Sequence, residues 1–290
     1  MKNRTNKFSL LLITLFFAIT IQAQNFQGIA TYFSKTNVEM NFEGREMSEE
    51  MKQRIKERMK SQFERTYKLS FDKSTSVYKQ EEQLESPGGG GGMRMMVFGG
   101  GASGKLYKDL KSGVFKSEND LMGKLFLIHD SLAKWNWELG AETKKIGEYT
   151  CYKATATRIL SDSELEMQDT MRERVNNNEE SQDNSDDEES APEVVIAWYT
   201  LDIPVSHGPE DYHGLPGLIL EVNDGRTTIL CSKIVLNPEK NIDIKAPEKG
   251  KVVTQSEFEE IRLEKAKEME TRMGGQGRRG DGHRMIIRGN

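Results

Sequence analysis

Apolar and polar positions alternate at period two through most of this chain, the spacing of a strand that buries one face. Phe26 to Lys35, Arg65 to Phe71, Ser74 to Gln80, Lys105 to Asp109, Val114 to Lys116, Leu121 to His129, Trp135 to Leu139, Tyr149 to Leu160 and Val194 to Thr200 all read as short strands. Leu218, Leu220 and Val222 share one face of a further strand. Asn223-Asp224-Gly225 then turns the chain into Thr227 to Leu236, a hairpin signal. The period changes twice. Met47, Met51, Ile55, Met59 and Phe63 recur every four residues, which predicts an amphipathic helix with Ser48 near its start. Thr254 followed three residues later by Glu257 is a capping box for a helix over 254–273. The expected fold is mainly β with α+β character: one curved antiparallel sheet, closing at most to a half-barrel, with one N-terminal and one C-terminal helix.

Where the pattern lapses, other signals take over. Lys2, Arg4 and Lys7 precede a nearly all-apolar run from Phe8 to Ile21, and Ala23 is a small residue at a plausible cut, so residues 1–23 read as a cleaved secretory signal. That run is too short to span a bilayer and no later one is longer, so no transmembrane span is expected. The glycine and methionine stretch 86–104, the acidic stretch 161–192 and the Gly/Arg tail 274–290 hold too few packing groups to fold and are expected to be flexible. Residues 24–253 then form a single domain. Losing three basic residues with the signal takes the formal net charge from −5 to −8, which gives the chain little electrostatic reason to bind nucleic acid or an anionic membrane.

Export also sets the reading of the two cysteines. Cys151 and Cys231 lie in strand-like runs, and in an oxidising compartment a bridge between them is the expected fate, with a free buried pair or an intermolecular bridge as alternatives. Candidate metal ligands are the thioethers of Met93, Met95 and Met96, which suit copper(I), and the pair His207 and His213, which flank Gly208-Pro209-Glu210-Asp211-Tyr212. His207, Tyr212 and His213 could equally belong to a ligand-contacting loop, and the histidines could simply bond locally or face water. Gly99 to Lys105 only echoes a phosphate-binding loop, since Leu106 stands where the magnesium-holding hydroxyl belongs. No nucleophile and base pairing assembles from local motifs, so no catalytic residue and no enzyme activity are expected, with a hydrolase built from scattered residues as the alternative.

The hexapeptide Gly214-Leu215-Pro216-Gly217-Leu218-Ile219 resembles the signature of the GLPGLI family of exported bacterial proteins, a family without an established activity. Its physical reading is a tight turn, with φ locked at Pro216 and a positive φ supplied by Gly217, so that it serves as a folding corner of the sheet. The resemblance implies an accessory or binding protein of the periplasm or outer membrane, working beside a TonB-dependent receptor. Order of elements in the last strands is also similar to that of LolA-type periplasmic carriers, which would imply an apolar cavity. The alternatives are a periplasmic copper-handling protein and an envelope interaction protein that binds through its unpatterned loops.

Overall fold

In the computed structural model, which describes residues 26–37, 48–81, 104–158 and 193–276, twelve strands form one sheet. The signal segment, Met93, Met95, Met96 and the acidic stretch lie outside those residues. In chain order the strands are β1 (Gly28–Thr36), β2 (Glu64–Phe71), β3 (Thr75–Gln80), β4 (Leu106–Asp109), β5 (Val114–Leu121), β6 (Lys124–Ser131), β7 (Glu138–Ile146), β8 (Tyr149–Arg158), β9 (Glu193–Thr200), β10 (Leu218–Asn223), β11 (Thr227–Leu236) and β12 (Lys251–Val253). Helix α1 is Glu49–Phe63 and α2 is Gln255–Gln276.

Two antiparallel meanders, β1 to β6 and β7 to β11, join side by side where β1 pairs with β11. β12 adds in parallel outside β6. β6 and β7 consequently stand ten strand spacings apart in the sheet, roughly 48 Å if it were flat. Only residues 132–137 connect them, and the chain can cover at most about 25 Å there. The sheet must therefore curl, and it is an open curved sheet and not a closed barrel.

Register fixes which side chains line the concave face. Ala30 and Tyr32 of β1, Tyr67, Leu69 and Phe71 of β2, Ser76 and Tyr78 of β3 and Lys108 of β4 fall on one side through successive pairings. All of them are buried. At the far end Phe126 and Ile128 of β6 join Val253 and Phe258 in a smaller core under α2. The expected capping box holds that helix: Thr254 N–H donates to Glu257 Oε2 at 2.8 Å, and Glu257 N–H to Thr254 Oγ1 at 3.2 Å.

Several expectations need correction. The strand expected over Trp135 to Leu139 begins only at Glu138, because both tryptophans are used elsewhere. On α1 the apolar stripe is not fully covered, for Met51 is half exposed. The disulfide is absent: Cys151 on β8 and Cys231 on β11 are free buried thiols. β9 and β10 lie between their strands, a separation of roughly 14 Å along the sheet, twice the ~7 Å that a bridge spans. Burial pushes the Cys151 thiol up to about 11 and that of Cys231 up to about 12, which keeps both protonated and unreactive.

Candidate functional site

The connection from β9 to β10, residues 201–217, does not run over the surface as connections usually do. It lies on the concave face, with Ile203, Val205, His207, Tyr212 and Leu215 all buried. Buried loop backbone must find hydrogen bonds, and the loop meets much of that need by folding on itself. His207 and His213 form an antiparallel bridge, Gly214 N–H donates to Ser206 O at 3.0 Å and Tyr212 N–H to Pro209 O at 3.1 Å. The result is a miniature hairpin with its tip at 208–212.

The tip carbonyls are taken up by one side chain. Lys108, fully buried on β4, aims its ammonium at Gly208 O (2.8 Å), Glu210 O (2.6 Å) and Tyr212 O (3.0 Å). An ammonium carries three N–H donors, and all three are used. Burial pulls this lysine down to about 7, and the negative charges of Asp211 and Glu210 act against that shift. On the flank, Trp137 Nε1 donates to His213 O at 2.8 Å and Trp135 Nε1 to Asp211 O at 3.3 Å, with the Trp135 ring 4.9 Å from Tyr212. Across the sheet Tyr32 donates its hydroxyl to Ile219 O at 2.7 Å.

The motif behaves differently from the expected turn. Leu218 N–H donates to Ile203 O at 2.9 Å, so no hydrogen bond from Leu218 back to Leu215 closes a turn. It is Gly214, at φ +93°, that takes the left-handed backbone; Gly217 does not. Gly217 is required for space, because a Cβ there would lie 1.9 Å from the Thr200 carbonyl oxygen at the end of β9. Leu215, Gly217, Leu218 and Ile219 are buried, and only Gly214 and Pro216 face solvent.

Among the described residues the two histidines join no metal-ligand set. His207 is wholly buried and neither ring nitrogen has a partner of good geometry, while His213 Nδ1 donates to Asp211 O at 2.7 Å. No group of three or more metal-ligating side chains occurs among the described residues. Burial, with the Lys108 charge beside it, drives His207 down to about 3.

Glu210, which the sequence offered only as an acid between the two histidines, is the unusual residue of the loop. It sits at φ +45°, a left-handed conformation costly for a side chain with a Cβ, and its main-chain oxygen is the shortest of the three Lys108 bonds. Among the described residues its carboxylate has no hydrogen-bond or ion-pair partner. The residue is half-buried and within electrostatic reach of Tyr67, Tyr78 and Tyr212. Burial first, and then Asp211 and Asp224, push it up to about 7. Tyr67 and Tyr78 stack with centroids 4.8 Å apart, and the Tyr78 hydroxyl is buried without a partner among the described residues.

These shifts give opposed pH dependences. His207 is neutral when folded but charges in the unfolded chain below about 6.5, so it adds stability that is lost as pH falls from 6.5 to about 3. Glu210 is protonated in the folded state up to about 7, so it removes stability as pH rises from 4.5 to 7. Each contributes a slope of about 1.4 kcal/mol per pH unit, and between 4.5 and 6.5 they cancel. Replacing Glu210 by Gln should expose the His207 slope in that window. Urea midpoints at pH 4.5, 5.5 and 6.5 check this, and a Glu210→Gln protein with flat stability there would refute the assignment.

A family model described as a protein of unknown function (Porph_ging) matches residues 137–221, which span β7 to most of β10 with the whole buried loop between. No curated protein matches the chain. Among solved structures the chain is similar to PNGF-II in its C2 crystal form, with a TM-score of 0.46, 13% identity and coverage of 82% of this chain and 32% of that one. For the P21 form the TM-score is 0.44, at 13% identity, with 81% of this chain and 33% of that one covered. The chain thus spans about a third of the length of those structures, a distant likeness from which no activity follows.

Proposed function

We propose that this is an exported, non-enzymatic binding or accessory protein of the cell envelope, of the GLPGLI type, in which the curved sheet displays the loop 201–217 toward a ligand. The observation that carries the reading is Glu210, a residue in the left-handed backbone region, with no side-chain partner among the described residues, at the tip of a loop whose backbone is otherwise fixed. Backbone strain of about 1–3 kcal/mol persists only where surrounding contacts impose it, and such residues gather at ligand clamps. Here the contacts are the Lys108 bonds and the two indole N–H groups. Export rests on the basic and apolar N-terminus, and an outer-membrane receptor of the TonB-dependent class as companion rests on the hexapeptide.

A role in copper handling has less support. It would have to rest on Met93, Met95 and Met96, since the buried His207 and the backbone-bonded His213 leave no ligand set beside the motif. The test is to isolate the mature chain from its native envelope, alongside Glu210→Ala, and identify by mass spectrometry what accompanies each. A small molecule or envelope protein present with the parent and missing from the variant is the expected result. Identical company for both proteins would overturn the reading.

A further inference from the structure

The two ends of the sheet are finished differently. Beyond β6 lie the three-residue β12 and α2, whereas β7 is nine residues long and, among the described residues, has no neighbour on its outer side. Its first six residues, Glu138 to Thr143, are all exposed, so neither face of the strand is covered there. An open edge of that length presents a row of main-chain N–H and C=O groups to another strand, and native sheets usually shorten or cover such edges.

The hairpin of β7 and β8 determines which groups those are. Ile146 and Tyr149 flank the two-residue loop Gly147-Glu148 and form a hydrogen-bonded pair. By alternation Lys144 with Cys151 is hydrogen-bonded too, whereas Lys145 with Thr150 and Thr143 with Tyr152 are not. Thr143 and Lys145 therefore direct their N–H and C=O away from β8, to the open side. The irregularity before Thr143 leaves Gly140, Ala141 and Glu142 without register partners on β8.

We propose that β7 is a self-association edge, pairing antiparallel with β7 of a second copy of this chain about a two-fold axis at Thr143. Charge selects that register. With Thr143 facing its own copy, Glu142 lies opposite Lys144 of the second copy, and the contact occurs twice. Centring on Glu142, Lys144 or Lys145 would instead set that residue against its own like charge. Glu142 and Lys144, two residues apart, share one face, where they already pair with Lys153 at 2.7 Å and Glu221 at 2.6 Å. The joined edges would thus carry alternating charge: Glu221 and Lys144, then Glu142 and Lys153 of the second copy. Leu139, 62% exposed, falls opposite the turn at Gly147 of the second copy. An unrelated extended peptide could use the same main-chain groups but has no reason to repeat this charge order. One strand pair is a small interface, and its exposed ion pairs set register more than strength, so the expected product is a weak, concentration-dependent dimer.

Sedimentation equilibrium of the mature chain across the micromolar range tests the pairing, and the parent should show a monomer–dimer equilibrium. Glu142→Lys alone and Lys144→Glu alone should each weaken it about tenfold, because two opposite-charge contacts become two like-charge ones. An equimolar mixture of these variants should recover the dimer, since the mixed pair again sets acid against base. Thr143→Cys should give a disulfide-linked dimer under mild oxidation. Lys145→Cys should not, because its copies would lie roughly 14 Å apart, beyond the ~7 Å that a bridge spans. Should a charge variant fail to fold, the two cysteine variants alone decide. A parent that stays monomeric into the millimolar range, folded charge variants whose mixture associates no better than its components, or Thr143→Cys that does not cross-link overturns the proposal.

Discussion

Replacing Lys108 by Met should destabilise the protein by at least about 3 kcal/mol and release the loop 201–217 from the sheet. Methionine matches the length of the stem but donates nothing, so the carbonyls of Gly208, Glu210 and Tyr212 lose their common partner in a buried setting. Each orphaned group costs roughly 1–3 kcal/mol, partly offset because a buried ammonium no longer has to be desolvated. The loss is a large part of the 5–15 kcal/mol that a typical domain has. Urea unfolding measures the total. Tryptophan fluorescence separates the loop, since Trp135 and Trp137 report on its flank. A variant within about 1 kcal/mol of the parent, with an unchanged tryptophan spectrum, would mean that water can take over the three carbonyls and that Lys108 is no lock.

The sheet was legible in the sequence because its signal is local. Alternation placed nine of the twelve strands within three residues of both observed ends, and Thr254 with Glu257 announced the start of α2 by a spacing that the hydrogen bonds reproduce. What stayed hidden depends on contacts between distant residues. Lys108 reads as one more lysine in a charged chain, and only the register of β3 and β4 turns it toward a loop one hundred residues away. The paired tryptophans of 135–137 satisfied the strand pattern and were read as strand, although their indole N–H groups belong to the loop. Cysteine arithmetic failed for the same reason: two cysteines in an exported chain suggest a bridge until the strand order sets β9 and β10 between them. β12 is three residues long, too short for any periodicity to show. For the candidate site, the loop histidines drew attention by type, whereas Glu210 is distinguished only by its backbone and by the company of Tyr67 and Tyr78, neither of which a sequence displays.

The hexapeptide gives the second large effect, and substitutions in it separate two reasons for a glycine. If Gly217 were needed for a left-handed turn, Asn, which tolerates that conformation, would be an acceptable replacement. The structure puts the need in space: any Cβ at 217 would meet the Thr200 carbonyl oxygen at 1.9 Å and its carbon at 2.6 Å, and these are backbone atoms that cannot rotate away. The end of β9 and the start of β10 would have to part, breaking into the pairing of Leu218 with Thr200 and the burial of Leu218 and Ile219. Gly217→Ala and Gly217→Asn should therefore both cost about 3 kcal/mol or more, at or above the upper end for overpacked sites. Gly214 is the converse case. Its φ is +93°, yet the nearest atoms to an added Cβ are those of the Trp137 ring at 4.0 Å, so Gly214→Asn should cost about 1 kcal/mol and Gly214→Val clearly more. His213→Ala removes only a local bond to Asp211 O and should stay within about 1 kcal/mol. Thermal melts of these variants rank the effects. A Gly217→Asn protein that melts with the parent, while Gly214→Asn unfolds, would return the positive φ to Gly217 and restore the turn as the reason for the motif.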